Sequence, residues 1–187
     1  DVATAGITLG TLEADANVIL TAAGNTAITN DAALALQGTV TGTLDATATT
    51  GDITDSDALA VSGASVFTLG ADGTNITLDS AANAFSGAVT LKAGSSGGQT
   101  FGNIVFVDSG AIDFDSAASA DGDLFLDGGT DNTVGGTLAV TATTGGITDS
   151  ATIAVTGDLT LNDVATAGIT LGTLEADANV ILTAAGN

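Results

Sequence analysis

The stretch Asp1 to Asn25, DVATAGITLGTLEADANVILTAAGN, returns without a single change at Asp163 to Asn187, an offset of 162 in the numbering. Working outward, a looser echo pairs Thr43 to Gly63 (TLDATATTGDITDSDALAVSG) with Thr137 to Gly157 (TLAVTATTGGITDSATIAVTG), matching at 14 of 21 positions with an offset of 94. Beneath both runs a shorter unit, in which a turn residue precedes an aliphatic residue that opens an extended segment: Ile7, Ile28, Ile53, Ile76, Ile104, Leu124, Ile147 and Ile169. The successive spacings are 21, 25, 23, 28, 20, 23 and 22, which together make 162. Seven short units therefore compose one long repeat, and the offset of 94 is a shift of four units. Periods of this size belong to solenoids, propellers or arrays.

Within each unit apolar residues alternate with Thr, Ala or Asp, as in Ile7-Thr8-Leu9, Leu34-Ala35-Leu36, Ile76-Thr77-Leu78, Val89-Thr90-Leu91 and Leu138-Ala139-Val140. That is the period of a strand with one buried face. Gly, Asn, Asp and Ser between the triplets supply tight turns every few residues, which would interrupt any helix. A unit of this length is too short for a propeller blade and too poor in Leu for a leucine-rich repeat. The pattern predicts an all-β fold, a parallel β-helix (β-solenoid) with about seven coils per long repeat, each unit forming one coil that pairs with those above and below. A third strand of the coils is expected at Leu44, Phe67–Leu69, Val89–Leu91, Leu138–Val140, Leu159–Leu161 and Val180–Leu182. The whole of residues 1–187 reads as a single solenoid segment without a capping element at either end.

Stacked coils close a narrow core with small aliphatics, which accounts for the composition: Pro, Cys, Met, Trp, Tyr, His and Arg are absent, and six Phe are the only aromatics. Five of these, Phe85, Phe101, Phe106, Phe114 and Phe125, fall in the central coils and are expected to fill a wider stretch of core. Twenty Asp and two Glu oppose the single cation Lys92, for a net charge of -21. Such a chain repels phosphate backbones and anionic membrane surfaces, so neither nucleic acid nor membrane insertion is expected. No apolar run approaches the ~20 residues of a membrane span.

The GITL, NVILTAAGN, NITLDSAAN, LAVTATTGGITDS and GDLTLN runs, spread over the whole chain, resemble the large β-strand-repeat surface proteins of bacteria, including filamentous-haemagglutinin-like exoproteins and autotransporter-type adhesins. The resemblance implies a right-handed parallel β-helix that is exported and displayed extracellularly, at the cell surface.

Few residues point to chemistry. Gly94-Ser95-Ser96-Gly97-Gly98 has the letters of a nucleophile elbow, but with no His in the chain Ser96 lacks the usual base. Val107-Asp108-Ser109-Gly110 has the form of an aspartic-protease signature and reads equally well as a strand ending in a turn. A β-helix polysaccharide lyase would call for Arg or Lys near the abstracted proton, where only Lys92 is available; a paired-carboxylate hydrolase needs Asp or Glu alone. No enzyme activity and no required cofactor are expected. Thr47 to Thr50 and Thr141 to Thr144 suggest a threonine array, yet by sequence that pattern returns only after four coils.

Carboxylates are the densest feature. Asp108, Asp113, Asp115, Asp121, Asp123, Asp127 and Asp131 crowd one segment, with Asn132 beside them. Calcium, which takes six to eight oxygen ligands from such groups, is the candidate cofactor. The alternative is a solvated acidic face, and Gly128-Gly129-Thr130-Asp131-Asn132 meets the calcium nonapeptide only in part. The expected role is a structural repeat of an extracellular fibre or adhesin stalk that associates with itself, head-to-tail or laterally, or continues into a longer chain. A ligand-binding adhesin domain is the alternative, its one candidate loop being the long unit from Ile76 to Gln99.

Overall fold

The computed structural model describes residues 5–94, 99–115, 122–127 and 133–185. Their regular elements are all strands: β1 (Ile7–Leu12), β2 (Val18–Ala22), β3 (Thr26–Asn30), β4 (Leu34–Val40), β5 (Leu44–Ala48), β6 (Ile53–Val61) and β7 (Ser65–Leu69). There follow β8 (Ile76–Leu78), β9 (Ala84–Phe85), β10 (Val89–Ala93), β11 (Ile104–Asp108), β12 (Ile112–Phe114), β13 (Asp123–Asp127) and β14 (Thr133–Val134). The last are β15 (Leu138–Ala142), β16 (Ile147–Asp149), β17 (Ile153–Val155), β18 (Leu159–Asp163), β19 (Ile169–Thr170), β20 (Leu174–Ala176) and β21 (Val180–Ala184). Every pairing between named strands is parallel, and the chain winds as a β-solenoid whose two long sheets face each other across the core.

The first long sheet runs β1-β3-β5-β7-β10-β13-β12-β16-β19 and the second β2-β4-β6-β8-β11-β15-β18-β21, with β9 beside β6. From Phe101 onward a third face appears: Phe101 bridges to Val134, and β14, β17 and β20 form a short sheet. Alternate residues point inward. Leu44, Ala46, Phe67, Leu69, Leu124, Leu126 and Ile147 do so from the first sheet, and Leu36, Val61, Ile104, Phe106, Val140 and Leu161 from the second, each at most 1 % exposed. From β2 to β21, which carry the same sequence one long repeat apart, the second sheet takes seven strand-to-strand steps, in agreement with seven coils per repeat.

The assignment of strands to faces differs from the sequence reading. The eight unit-opening aliphatics do not form one column: Ile53, Ile76 and Ile104 stack in the second sheet, whereas Ile7, Ile28, Leu124, Ile147 and Ile169 lie in the first. The expected third strand divides in the same way, with Leu44, Phe67 and Val89 in the first sheet and Leu138, Leu159 and Val180 in the second. Both faces carry the same period-2 pattern, so periodicity alone cannot separate them. The echo makes this concrete. Leu44–Ala48 leads from the first sheet to Ile53 in the second, while its counterpart Leu138–Ala142 leads from the second to Ile147 in the first.

One further departure lies in the acidic segment. Strand β13 sits between β10 and β12, so the first sheet holds two strands there where one coil would supply one. Both present inward apolar pairs, Ile112 and Phe114 from β12, Leu124 and Leu126 from β13, so either fits the core face. The central Phe residues also divide. Phe85, Phe101, Phe106 and Phe114 are buried, with Phe85 edge-on to Phe67 (centroids 5.9 Å) and stacked on Phe106 (5.4 Å). Phe125 instead occupies an outward position of β13 and is half-buried, a correction to its expected core role.

Candidate functional site: corner carboxylates and the acidic segment

The polar residues that organise the solenoid sit at its corners, where backbone groups leave one sheet before entering the next and need partners. At the entrance to the second sheet, side chains of one coil hold the backbone of the next. Asn75 donates its N–H to Asp52 Oδ1 (2.8 Å), Asn103 N–H to Asn75 Oδ1 (2.7 Å), and Thr137 N–H to Asn103 Oδ1 (2.9 Å). Asn179 repeats the arrangement on Asp158 Oδ1 at 3.0 Å. Such ladders of like side chains belong to stacked parallel strands, where each coil presents the same group one inter-strand spacing on. The sequence showed a turn residue before each strand-opening aliphatic; its work as an inter-coil acceptor depends on which residues stack.

At the exit from the second sheet, buried carboxylates close the turns. Asp108 and Asp163 occupy the same column, with Ala142 between them, and are 3 % and 0 % exposed. Asp108 Oδ1 accepts Phe85 N–H at 2.8 Å and its Oδ2 accepts Gly110 N–H at 3.1 Å. Asp163 likewise accepts Ala165 N–H at 2.9 Å and Gly168 N–H at 2.5 Å. The Val107-Asp108-Ser109-Gly110 run is thus a structural turn whose carboxylate is engaged by backbone. It borders a cleft of about 270 Å³ with Phe85, Ser86 and Gly122.

Burial pushes the Asp108 carboxyl above its ordinary value, opposed by the N–H groups of Phe85, Gly110 and Ser109. A raised native value means that the folded state holds the proton more tightly, so the group's stabilisation is greatest below the ordinary carboxylate range, about pH 4, and is lost as pH rises through the raised value. D108N does not titrate. The difference in Tm between the unsubstituted chain and D108N should therefore shrink as pH rises through that window; a difference that widens would show that the carboxylate is stabilised as an anion.

The five candidate calcium ligands among the described residues do not gather at one point. Asp108 is the corner latch just described. Asp113 and Asp123 stand side by side on β12 and β13, and Asp113 Oδ1 is buried without a hydrogen-bond partner. Asp115 lies just past β12, its N–H on Leu124 O at 3.3 Å. Asp127 pairs with Lys92, Nζ to Oδ2 3.3 Å, on neighbouring strands with both side chains about two-fifths exposed. Such a pair is worth about 1 kcal/mol or less. Asp121 and Asp131 lie outside the described residues, as do Ser95 to Gly98 and Gly128 to Asn132. Among the described residues no group of three or more carboxylates comes close enough to hold a metal ion.

The threonine pattern is more regular than the sequence suggested. Thr11, Thr29, Thr47 and Thr68 form one outward column on four successive strands of the first sheet, followed by Lys92 and Asp127. Thr141 to Thr144 belong to the other sheet and a following corner. The neighbouring outward column, Thr8, Ala27, Asp45, Val66 and Thr90, is mixed.

Parallel strands in long sheets, corner ladders and a core of stacked aliphatics define a β-solenoid repeat protein. A family model described as repeats of unknown function (DUF5649) matches residues 23–92, which hold β3 to β9 and all but the last residue of β10. No curated protein and no solved structure matches the chain.

Proposed function

We propose that this chain is a length-giving structural segment of an extracellular or cell-surface fibre or stalk, and that it is non-catalytic. One observation carries the reading: after one long repeat the same sequence re-enters the same two sheets, β1 and β19 in the first, β2 and β21 in the second. A fold whose repeated sequence returns to the same long sheets extends along one axis by repetition. The corner carboxylates serve this geometry by satisfying backbone groups, and the reading calls on no bound metal. Exposed acidic positions keep such rods apart in solution.

Seven steps at the inter-strand spacing of ~4.8 Å advance the axis by about 34 Å per repeat. Electron micrographs and diffraction of the native material should show thin fibres with a strong ~4.8 Å spacing along the axis and a weaker ~34 Å period. Discrete globular particles would sink the proposal.

A further inference from the structure

Strand β13 breaks the count of the coils around it. From β10 to β16 the first sheet takes three strand-to-strand steps, by way of β13 and β12. Over the same coils the second sheet takes two, β11 to β15 to β18, and the third face two, Phe101 to β14 to β17. One inter-strand spacing of ~4.8 Å is therefore present on one face and absent from the other two. The sequence marks which strand is surplus. Ser62-Gly63-Ala64, Ser86-Gly87-Ala88 and Ser109-Gly110-Ala111 lead in turn into β7, β10 and β12, whereas Ala120-Asp121-Gly122 precedes β13. The first two corners stack: a Cβ on Gly87 would come within 2.6 Å of Gly63 C, and one on Gly63 within 2.7 Å of Gly42 O. At Gly110 no atom of the Gly87 corner lies within 4 Å of the same point. Yet the chain enters this turn from beside that corner, since Asp108 accepts the N–H of Phe85. By its sequence β12 is the successor to β10, and β13 stands in its place.

We propose that β13 is a removable strand, and that the solenoid has a second closed arrangement in which β13 leaves the first sheet and β12 moves one spacing to pair with β10. In that arrangement Ile112 lies beside Val89, Asp113 beside Thr90 and Phe114 beside Leu91, inward residues with inward and outward with outward. All three faces then take two steps. The exchange relieves two costs of the resident state. Asp113 and Asp123 oppose each other in register, and Asp113 Oδ1 is buried without a hydrogen-bond partner. It gives up the burial of Leu124 and Leu126, the pairing from Val89↔Leu124 to Lys92↔Asp127, and the ion pair of Lys92 with Asp127. Those losses keep β13 resident. Direct pairing of β10 with β12 leaves no strand edge open between them, so the exchange costs less than unfolding the coil. The device rests on the sheet order alone and is independent of the fibre reading.

The chain has no cysteine, one Lys and no Arg, so both arrangements can be trapped by disulfides and followed by a single tryptic cut. In the resident state Thr90 lies beside Phe125, and Asp113 stands one strand further on; after the exchange Thr90 lies beside Asp113. A parallel neighbour at ~4.8 Å is within the Cα range of a disulfide, and two spacings, about 10 Å, are not. Under slow oxidation of the full chain, T90C/F125C should close in the resident state. T90C/D113C should close as well, in roughly tenfold excess over V66C/F125C, whose residues flank Thr90 at two spacings and are not brought together by the exchange. All of these positions face outward, so the reduced variants should keep the circular dichroism of the unsubstituted chain. Trypsin should cut after Lys92, which loses its β13 neighbour on exchange, and oxidation of T90C/F125C should slow that cut about tenfold against the same chain reduced. Failure of T90C/F125C to close overturns the resident placement of β13 and the proposal with it. Closure of T90C/D113C no faster than that of V66C/F125C, or a cut at Lys92 that the locked strand does not slow, overturns the exchange.

Discussion

Ile147→Asp should destabilise the solenoid by about 4 kcal/mol or more, the combined cost of losing a buried aliphatic side chain and placing a carboxylate where nothing solvates it. Ile147 is 0 % exposed and pairs with Ile112 on one side and Ile169 on the other, so the new charge would face stacked aliphatics in three adjacent strands. In a solenoid each coil is stabilised by its neighbours, so the damage should begin around β16 and appear in denaturant titration as an early step or a broadened transition. An unchanged melting temperature would place Ile147 on the outer face and refute the inward register of β16.

Phe106→Ala should cost about 3–5 kcal/mol, the range for removing a buried ring and leaving a cavity. Phe106 is 1 % exposed and stacks on Phe85, which meets Phe67 edge-on, so three coils share the void. Phe125→Ala is the control. Half-buried on the outward side of β13, that ring should cost about 1 kcal/mol or less. Urea melts of the two variants check the pair, and equal losses would mean that β13 presents its other face to the core.

The two Phe residues also show where sequence reading ends. All-β architecture, parallel stacking and the seven-step repeat were legible because alternation and exact recurrence are properties of the chain itself. Which face a strand occupies was not. Leu124-Phe125-Leu126 alternates as clearly as Ile104-Val105-Phe106, but in the first the aliphatics point inward and in the second the ring does. The ladder Asp52, Asn75, Asn103, Thr137 was visible only as turn residues, because the spacings of 23, 28 and 34 that bring these residues together depend on loop lengths. Asp108 and Asp163 became equivalent latches only once β11 and β18 were known to share a column. The acidic segment read as a cluster, yet its described members go to a corner, a strand pair and an ion pair with Lys92.

The echo on opposite sheets bears on how such a gene can change. Recombination between the coding stretches for residues 43–63 and 137–157 would delete 94 residues and deliver Leu44–Ala48 directly to Ile147. Both of these lie in the first sheet, so every strand downstream would move to the opposite face, half a turn out of phase. Where both faces carry the same inward pattern, that slip still yields stacked strands. Recombination at the exact duplication returns Ile7 and Val18 to their own faces, where Ile169 and Val180 lie. The two slips differ in outcome: a whole repeat returns its strands to the long sheets they left, and a half-turn slip exchanges the faces.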